Sequence, residues 1–184
     1  MSELTDIKMT SDLSPTNNEQ IKFGHKNAKM AFYLPTAPII PTDTELTLPD
    51  TSKIIELNGN HWRKIFTIMA KITAENNSAD CWKKRRADLF TTKSEAHDST
   101  CLIINSAGID PHAEVHILCG QVTYERLQHS IETHMGLNWQ DELTELGEKQ
   151  KVMAHKQVLI APYLDYRQFP NQLIEAVRDY LKQY

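Results

Sequence analysis

Apolar residues recur every three to four positions in several stretches of the chain, a spacing that is typical of amphipathic helices. The pattern predicts helices over residues 61–75, 79–90, 121–136, 138–147 and 170–184. Gly136 suits the end of one of these helices, and Pro170 suits the first turn of the last one.

Short, continuous apolar runs between these helices predict buried strands. The runs cover residues 28–38, 99–108, 114–120 and 156–166. The run at 99–108 leaves a strand and a helix end both open, with the strand favoured. Residues 39–59 are rich in Pro and Thr and are expected to be loop.

The order strand, helix, strand, helix from residue 114 onward predicts a parallel strand pair joined by a right-handed crossover. Both strands lack clean polar alternation, as expected when helices cover both faces of a sheet. We predict a three-layer α/β/α fold with a small, mainly parallel sheet. Residues 1–28 are polar and aperiodic, so we expect a flexible N-terminal arm followed by a single α/β domain over 29–184.

Composition narrows the class of protein without naming a function. The 184 residues are 40% hydrophobic and 24% charged, with a formal net charge of -4, which is ordinary for a soluble domain. The acidic balance argues against a general nucleic-acid-binding surface. No apolar window is long enough to span a bilayer, and the first residues lack the order of a signal peptide. Three cysteines without C-x-x-C spacing favour a reducing cytoplasm.

Ligands of open α/β sheets bind beyond the carboxyl ends of the strands. In this chain, those ends place residues 33–38, 119–124 and 162–169 at one sheet edge. We therefore look for a site in these three segments.

The segment "PYLDYRQF" (162–169) holds the strongest candidates. Asp165 is a candidate base or hydroxyl ligand, and Arg167 is a candidate partner for a carboxylate or phosphate. Tyr163 and Tyr166 offer rings for stacking. The alternative is that Asp165 and Arg167 only stabilise a turn, with the tyrosines packed on the sheet.

The segment "VHILCGQVTYERL" (115–127) contributes a strand end, a turn and a helix start. Gly120 and Gln121 are candidate ligand-binding residues, because backbone amides at a helix N-terminus attract anions. Cys119 is a candidate nucleophile if those amides lower the pKa of its thiol. The alternative is a small buried core residue, which is the common role of a free cysteine.

No cofactor or metal site is predicted. The chain lacks G-x-G-x-x-G and G-x-x-x-x-G-K-[ST]. On a strand, His112 and His116 would share one face and Cys119 would point to the other, which argues against a three-ligand metal site. The basic run "KKRR" (83–86) lies beside Trp82 and is interpreted as a solvated helix face, with a phosphate-contacting patch as the alternative.

The fragment "GIDPH" (108–112) resembles the G-x-D-P-Y loop of uracil-DNA glycosylases, a family with a parallel sheet between helices. In that family the aspartate follows the first core strand. Asp110 instead precedes the strand at 114–120, and no H-P-S loop follows the later strand. The resemblance implies a nucleic-acid-processing enzyme as one alternative. We assign no catalytic or binding role of the glycosylases to any residue of this chain.

These observations predict a soluble α/β domain that binds a small anionic or nucleotide-like ligand at the strand ends. A non-catalytic interaction or assembly protein, including a homo-oligomer, is the alternative. The sequence does not determine whether the protein is an enzyme.

Overall fold

A computed structural model describes residues 19–91 and 99–184. Within them the chain forms a mixed α/β protein with one seven-stranded sheet. The strands are β1 (Ile21–Gly24), β2 (Met30–Leu34), β3 (Thr100–Ile104), β4 (Val115–Cys119), β5 (Thr144–Leu146), β6 (Val152–His155) and β7 (Val158–Ala161). The helices are α1 (Thr51–Asn58), α2 (Asn60–Thr73), α3 (Ala79–Ala87), α4 (Gln121–Met135) and α5 (Asn171–Leu181), with a short 3₁₀ helix at Trp139–Glu142. None of these helices has the length and apolar character needed to cross a membrane.

The sheet order is β1-β3-β2-β4-β7-β6-β5. The four central strands β3, β2, β4 and β7 are parallel, and β1, β6 and β5 add antiparallel pairs at the two sides. The predicted parallel pair of β4 and β7 is confirmed. Because three of the six pairs are antiparallel, the prediction of a mainly parallel sheet is not confirmed.

The central strands are buried on both faces because their side chains alternate between two hydrophobic clusters. On β2, Phe32 and Leu34 join a cluster with α2 and α5, whereas Ala31 and Tyr33 join a second cluster with α4. All five residues of β3 and of β4 are buried. The continuous apolar runs in the sequence follow directly from this double coverage.

Helix α2 packs its apolar residues on the sheet and is also contacted by α3, so residues 65–70 are all buried. Its buried residues include Ile65, Phe66 and Met69. The Arg178 guanidinium on α5 satisfies carbonyl groups that the C-terminus of α2 leaves without helical partners. Nη1 donates to the carbonyls of Lys71 at 2.5 Å and Ala74 at 2.6 Å. These hydrogen bonds fix the position of α5 relative to the C-terminus of α2.

Two segments before α2 differ from the sequence prediction. Residues 21–24, placed in the predicted arm, form β1 because Ile21 and Phe23 are buried against β3. Residues 1–18 of that arm lie outside the described residues. The predicted loop at 39–59 contains α1, which begins where the Asp50 carboxylate accepts from the Ser52 and Lys53 amides.

Two further differences lie between α4 and β7. The helix predicted at 138–147 is a single 3₁₀ turn followed by β5, and Val152–His155 forms β6, which the sequence pattern did not predict. Lys156 turns the chain into β7 with a positive φ of 50°. β6 and β7 therefore form a hairpin, and the strand expected over 156–166 is limited to β7, with residues 162–166 outside any strand.

A buried polar pair lies under α4. The Tyr33 hydroxyl accepts from the Asp110 amide at 2.9 Å and lies 2.9 Å from His116 Nδ1. Burial, together with the nearby His134, lowers the pKa of His116 to about 4. His116 is therefore neutral in the folded protein at neutral pH.

Gly24 is expected to tolerate no side chain. It has a φ of 96°, and an added Cβ would lie 2.6 Å from the Thr100 carbonyl oxygen. Gly136 has a similar φ of 93° with nothing within 4 Å, so it is a matched control. We expect Gly24→Ala to lower the free energy of unfolding by about 3 kcal/mol and Gly136→Ala by about 1 kcal/mol, measured by chemical denaturation. Equal losses would contradict the steric explanation.

Because of His116, the free energy of unfolding is expected to decrease as the pH is lowered. The unfolded chain takes up a proton near pH 6.5, whereas the folded protein resists protonation down to a pKa of about 4. The free energy of unfolding should therefore fall between pH 6.5 and pH 4, by up to about 3 kcal/mol from this group. Denaturation of His116→Gln should show a flatter profile, and the exposed His129→Gln should keep the wild-type slope.

Candidate functional site

The carboxyl ends of β2, β4 and β7 lie side by side, because these strands are parallel neighbours. The segment 162–169 leaves β7 at this edge and folds along the outer face of α2. Its side chains meet α2 in order: Tyr163 contacts His61, Asp165 pairs with Lys64, and Tyr166 lies near Lys71. The structure thus brings the predicted segment against a helix.

Tyr163 connects the start of α2 with the turn after β4. Its hydroxyl lies 3.0 Å from His61 Nε2, and the two rings stack with centroids 5.6 Å apart. The ring also lies over Gly120, where an added Cβ would be 3.4 Å from it. Burial raises the pKa of Tyr163 to about 12, so the hydroxyl is protonated at neutral pH.

Asp165 is held by three donors. Lys64 Nζ lies 2.9 Å from Oδ2, and the Arg167 amide and Nε reach Oδ1 at 3.0 and 3.3 Å. The Lys64 hydrogen bond, with the Arg167 contacts, holds the pKa of Asp165 well below its usual range. A carboxylate of this kind is a poor proton acceptor near neutral pH, which favours a positioning role over a catalytic base.

The other residues predicted at the strand ends have different surroundings. Gly120 adopts a φ of 91° and donates its amide to the Ala161 carbonyl at 2.9 Å. Gln121 is exposed, and its amide donates to Glu125 on the same helix. The Arg167 side chain is 91% exposed. These three residues border the Tyr163 and Asp165 cluster and stay predictions as ligand contacts.

Cys119 is fully buried in the cluster beneath α2 and α5. Its Sγ lies 3.5 Å from the Ile117 carbonyl oxygen, and burial raises the pKa of the thiol far above its ordinary value. A buried, protonated thiol is a poor nucleophile. The geometry therefore favours the core role over the catalytic one.

A groove of about 450 Å³ runs between α2 and α3 beside Tyr166. Its lining contains four cations and no acid: Asn60, Arg63, Lys64, Thr67, Trp82, Lys83, Arg86 and Tyr166. Arg86 Nη1 donates to the Thr67 hydroxyl at 2.9 Å, which orients the guanidinium. We call this surface the basic groove.

Lysine and arginine side chains surround the indole at one end of the basic groove. Lys71 Nζ lies 5.1 Å from the Trp82 ring centroid and 5.0 Å from that of Tyr166. Lys83 and Arg86 each lie 5.8 Å from Trp82. Cation–π attraction therefore holds several positive charges near one partly exposed aromatic surface.

The sequence interpretation missed the contribution of α2 to this groove. Arg63 and Lys64 lie between the apolar positions of α2, and their basic character was the available signal. The run at 83–86 was interpreted as a solvated face, but Lys83 and Arg86 line the groove. Arg85 instead turns toward β3, where it donates to Thr100 at 2.9 Å.

The remaining candidates lie apart from the groove. Asp110 of "GIDPH" pairs with Lys22, and its Oδ1 accepts from the His112 amide at 2.9 Å. His116 is engaged by Tyr33. Among residues 19–91 and 99–184, no three His, Cys, Asp or Glu side chains are grouped to hold a metal ion.

The fold and the groove define a mixed α/β protein with a basic, aromatic-lined surface beside its sheet edge. A family model matches residues 21–182, so the chain belongs to the family of unknown function DUF6942. No curated protein and no solved structure matches the chain.

Cys119 is expected to resist alkylation in the folded protein, whereas Cys81, which is partly exposed on α3, should react. Buried thiols react only when the protein opens, because the thiolate is the reactive species. Mass spectrometry after iodoacetamide treatment should show Cys81 modified and Cys119 unmodified until denaturant is added. Modification of native Cys119 at the rate of Cys81 would restore it as a candidate nucleophile.

Proposed function

We propose that the protein binds a small anionic ligand, carrying phosphate or carboxylate groups, in the basic groove. The observation that carries this proposal is the convergence of Arg63, Lys64, Lys83 and Arg86 on one groove without an acidic lining residue. In a chain with a net charge of -4, such a local excess of positive charge favours an anionic partner.

The cations are oriented before any ligand arrives. Asp165 holds Lys64, and Thr67 holds Arg86. Arg63 Nη2 donates to Asn60 Oδ1 at 2.6 Å. Preoriented groups lose less conformational entropy on binding, so each charge-assisted hydrogen bond contributes more to affinity.

This proposal keeps part of the site expected from the sequence and moves its centre. Tyr166 lines the groove, Asp165 positions Lys64, and Tyr163 fixes the adjoining end of α2 through His61. The groove therefore starts near the carboxyl edge and continues along the helices. No reaction is proposed, because the candidate base Asp165 is engaged by Lys64 and Arg167.

Two broader expectations accompany the proposal. A three-layer arrangement is supported by the two buried clusters, one with α2 and α5 and the other with α4. A cytoplasmic location is supported by Cys81, Cys101 and Cys119, which are all unpaired.

Removing two groove cations should weaken anion binding. We expect an Arg63→Gln, Lys83→Gln double variant to bind inorganic pyrophosphate at least about tenfold more weakly than wild type, because two charge-assisted contacts are lost. Isothermal titration calorimetry at low ionic strength gives the dissociation constants. Both side chains are exposed, so the fold should be unaffected.

The matched control removes the same charge elsewhere. Lys26 and Lys156 are exposed at the opposite, amino-terminal side of the central strands. A Lys26→Gln, Lys156→Gln double variant should bind pyrophosphate within twofold of wild type. Equal weakening in both double variants, or no pyrophosphate binding by wild type, would refute the proposed function.

A further inference from the structure

Trp82 separates the basic groove from a second, smaller cavity. The cavity has a volume of about 140 Å³ and lies where the ends of α2, α3 and α5 meet. Its lining residues are Lys71, Asn77, Trp82, Asn171, Ile174 and Glu175. At about 30 Å³ per water molecule, it admits a group the size of one ring system. We call it the amide cavity, after its two asparagines.

The amide cavity differs from the groove in its chemistry. Asn171 Oδ1 accepts from Lys71 Nζ at 2.9 Å, which leaves the Asn171 amide nitrogen as a donor toward a ligand. Asn77 Nδ2 reaches Glu175 Oε1 at the long distance of 3.4 Å. In the described part of the chain, the Glu175 carboxylate forms no ion pair. It is therefore available to accept hydrogen bonds.

Charge distinguishes what each cavity accepts. The groove lining carries four cations and no carboxylate, whereas the amide cavity carries one cation, Lys71, and one carboxylate, Glu175, so it attracts a second anionic group far less. A ligand that occupies both must carry its negative charge at one end and N–H or O–H donors at the other. The Asn side chains offer N–H donors and C=O acceptors, the groups with which proteins recognise the edge of a nucleobase.

The two cavities meet at an aromatic surface. The Trp82 ring is partly exposed and lines both, and Lys71 Nζ lies between the Trp82 and Tyr166 rings. A planar ring bound in the amide cavity would lie against Trp82, and Asn171 and Glu175 are polar groups that line the same cavity. Stacking of a base on an aromatic side chain stabilises complexes of proteins with nucleic acids and is tolerant of base identity.

We propose that the basic groove and the amide cavity bind one nucleoside monophosphate, with the phosphate among Arg63, Lys83 and Arg86, the base on Trp82, and its polar edge at Asn171 and Glu175. This inference rests on the proposed function, since the phosphate occupies the groove described above. It adds the class of ligand and the residues that recognise its uncharged part.

A single nucleotide fits the charges better than a polymer. The cationic strip ends at Asp165 beside Lys64 and at Glu175 beyond Trp82. A continuing phosphate backbone would bring a second phosphate against one of these carboxylates, whereas a mononucleotide brings only its uncharged base edge to Glu175. Selective binding of a single-stranded oligonucleotide is therefore an outcome that would refute this inference.

The test compares nucleotide with phosphate in the full-length protein. Calorimetry with AMP, GMP, CMP, UMP and inorganic phosphate should find at least one monophosphate bound at least tenfold more tightly than inorganic phosphate. In Glu175→Gln, that ratio should fall to threefold or less, with affinity for inorganic phosphate unchanged or slightly higher. Trp82→Leu should lower the same ratio, and its melting temperature should be checked against wild type.

Glu56→Gln supplies the matched control, because Glu56 is an exposed carboxylate on α1 away from both cavities. It should keep the wild-type ratio. This inference would be overturned if all four nucleotides and inorganic phosphate bound with equal affinity. The proposed function would still stand if the Arg63→Gln, Lys83→Gln double variant lost phosphate binding. If the wild-type protein bound none of these anions, the proposed function itself would be refuted.

Discussion

The amphipathic packing of α2 is the constraint on which the rest of the structure depends. Ile65, Phe66 and Met69 must be buried against the sheet, and the helical period then turns Arg63, Lys64 and Lys71 outward together. A helix that buried a different face would bury these charges at a large energetic cost. The buried core and the basic groove therefore both follow from which face of α2 packs on the sheet.

The outward face of α2 gains its neighbours from distant parts of the chain. Helix α3 brings Trp82 from one side, and the segment after β7 brings Tyr166 from the other. The Lys64–Asp165 ion pair joins residues 101 positions apart and leaves the carboxylate only 13% exposed. Its net contribution to stability is modest for a partly exposed pair, so its main effect is geometric.

The sequence predicted the elements with the strongest apolar patterns. Strands β4 and β7 are continuous apolar runs, and helices α2 and α4 have clear periodicity. Strands β1, β5 and β6 were missed since they are short, lie toward the sides of the sheet and depend on a paired neighbour. Helix α1 has only eight residues and begins from the Asp50 cap, a signal too local to outweigh the surrounding Pro and Thr residues.

The candidate site was predictable in position but not in composition. Parallel strands bring the segments after Cys119 and Ala161 to one edge wherever the helices lie, so Tyr163, Asp165 and Tyr166 could be named. The partners of these residues depend on which helix packs beside β7, and no local pattern encodes that choice. The basic character of residues 83–86 was visible, yet only tertiary packing shows that Lys83 and Arg86 face the cations of α2.

The placement of the three tryptophans allows ligand binding to be followed by the intrinsic fluorescence of the protein. Trp62 and Trp139 are 4% and 2% exposed, whereas Trp82 is partly exposed in the groove among cations. Iodide, an anionic collisional quencher, is drawn to positive surface and is excluded from the packed interior. Quenching of the native fluorescence should therefore come mainly from one indole, so occupancy of the groove can be followed without a label.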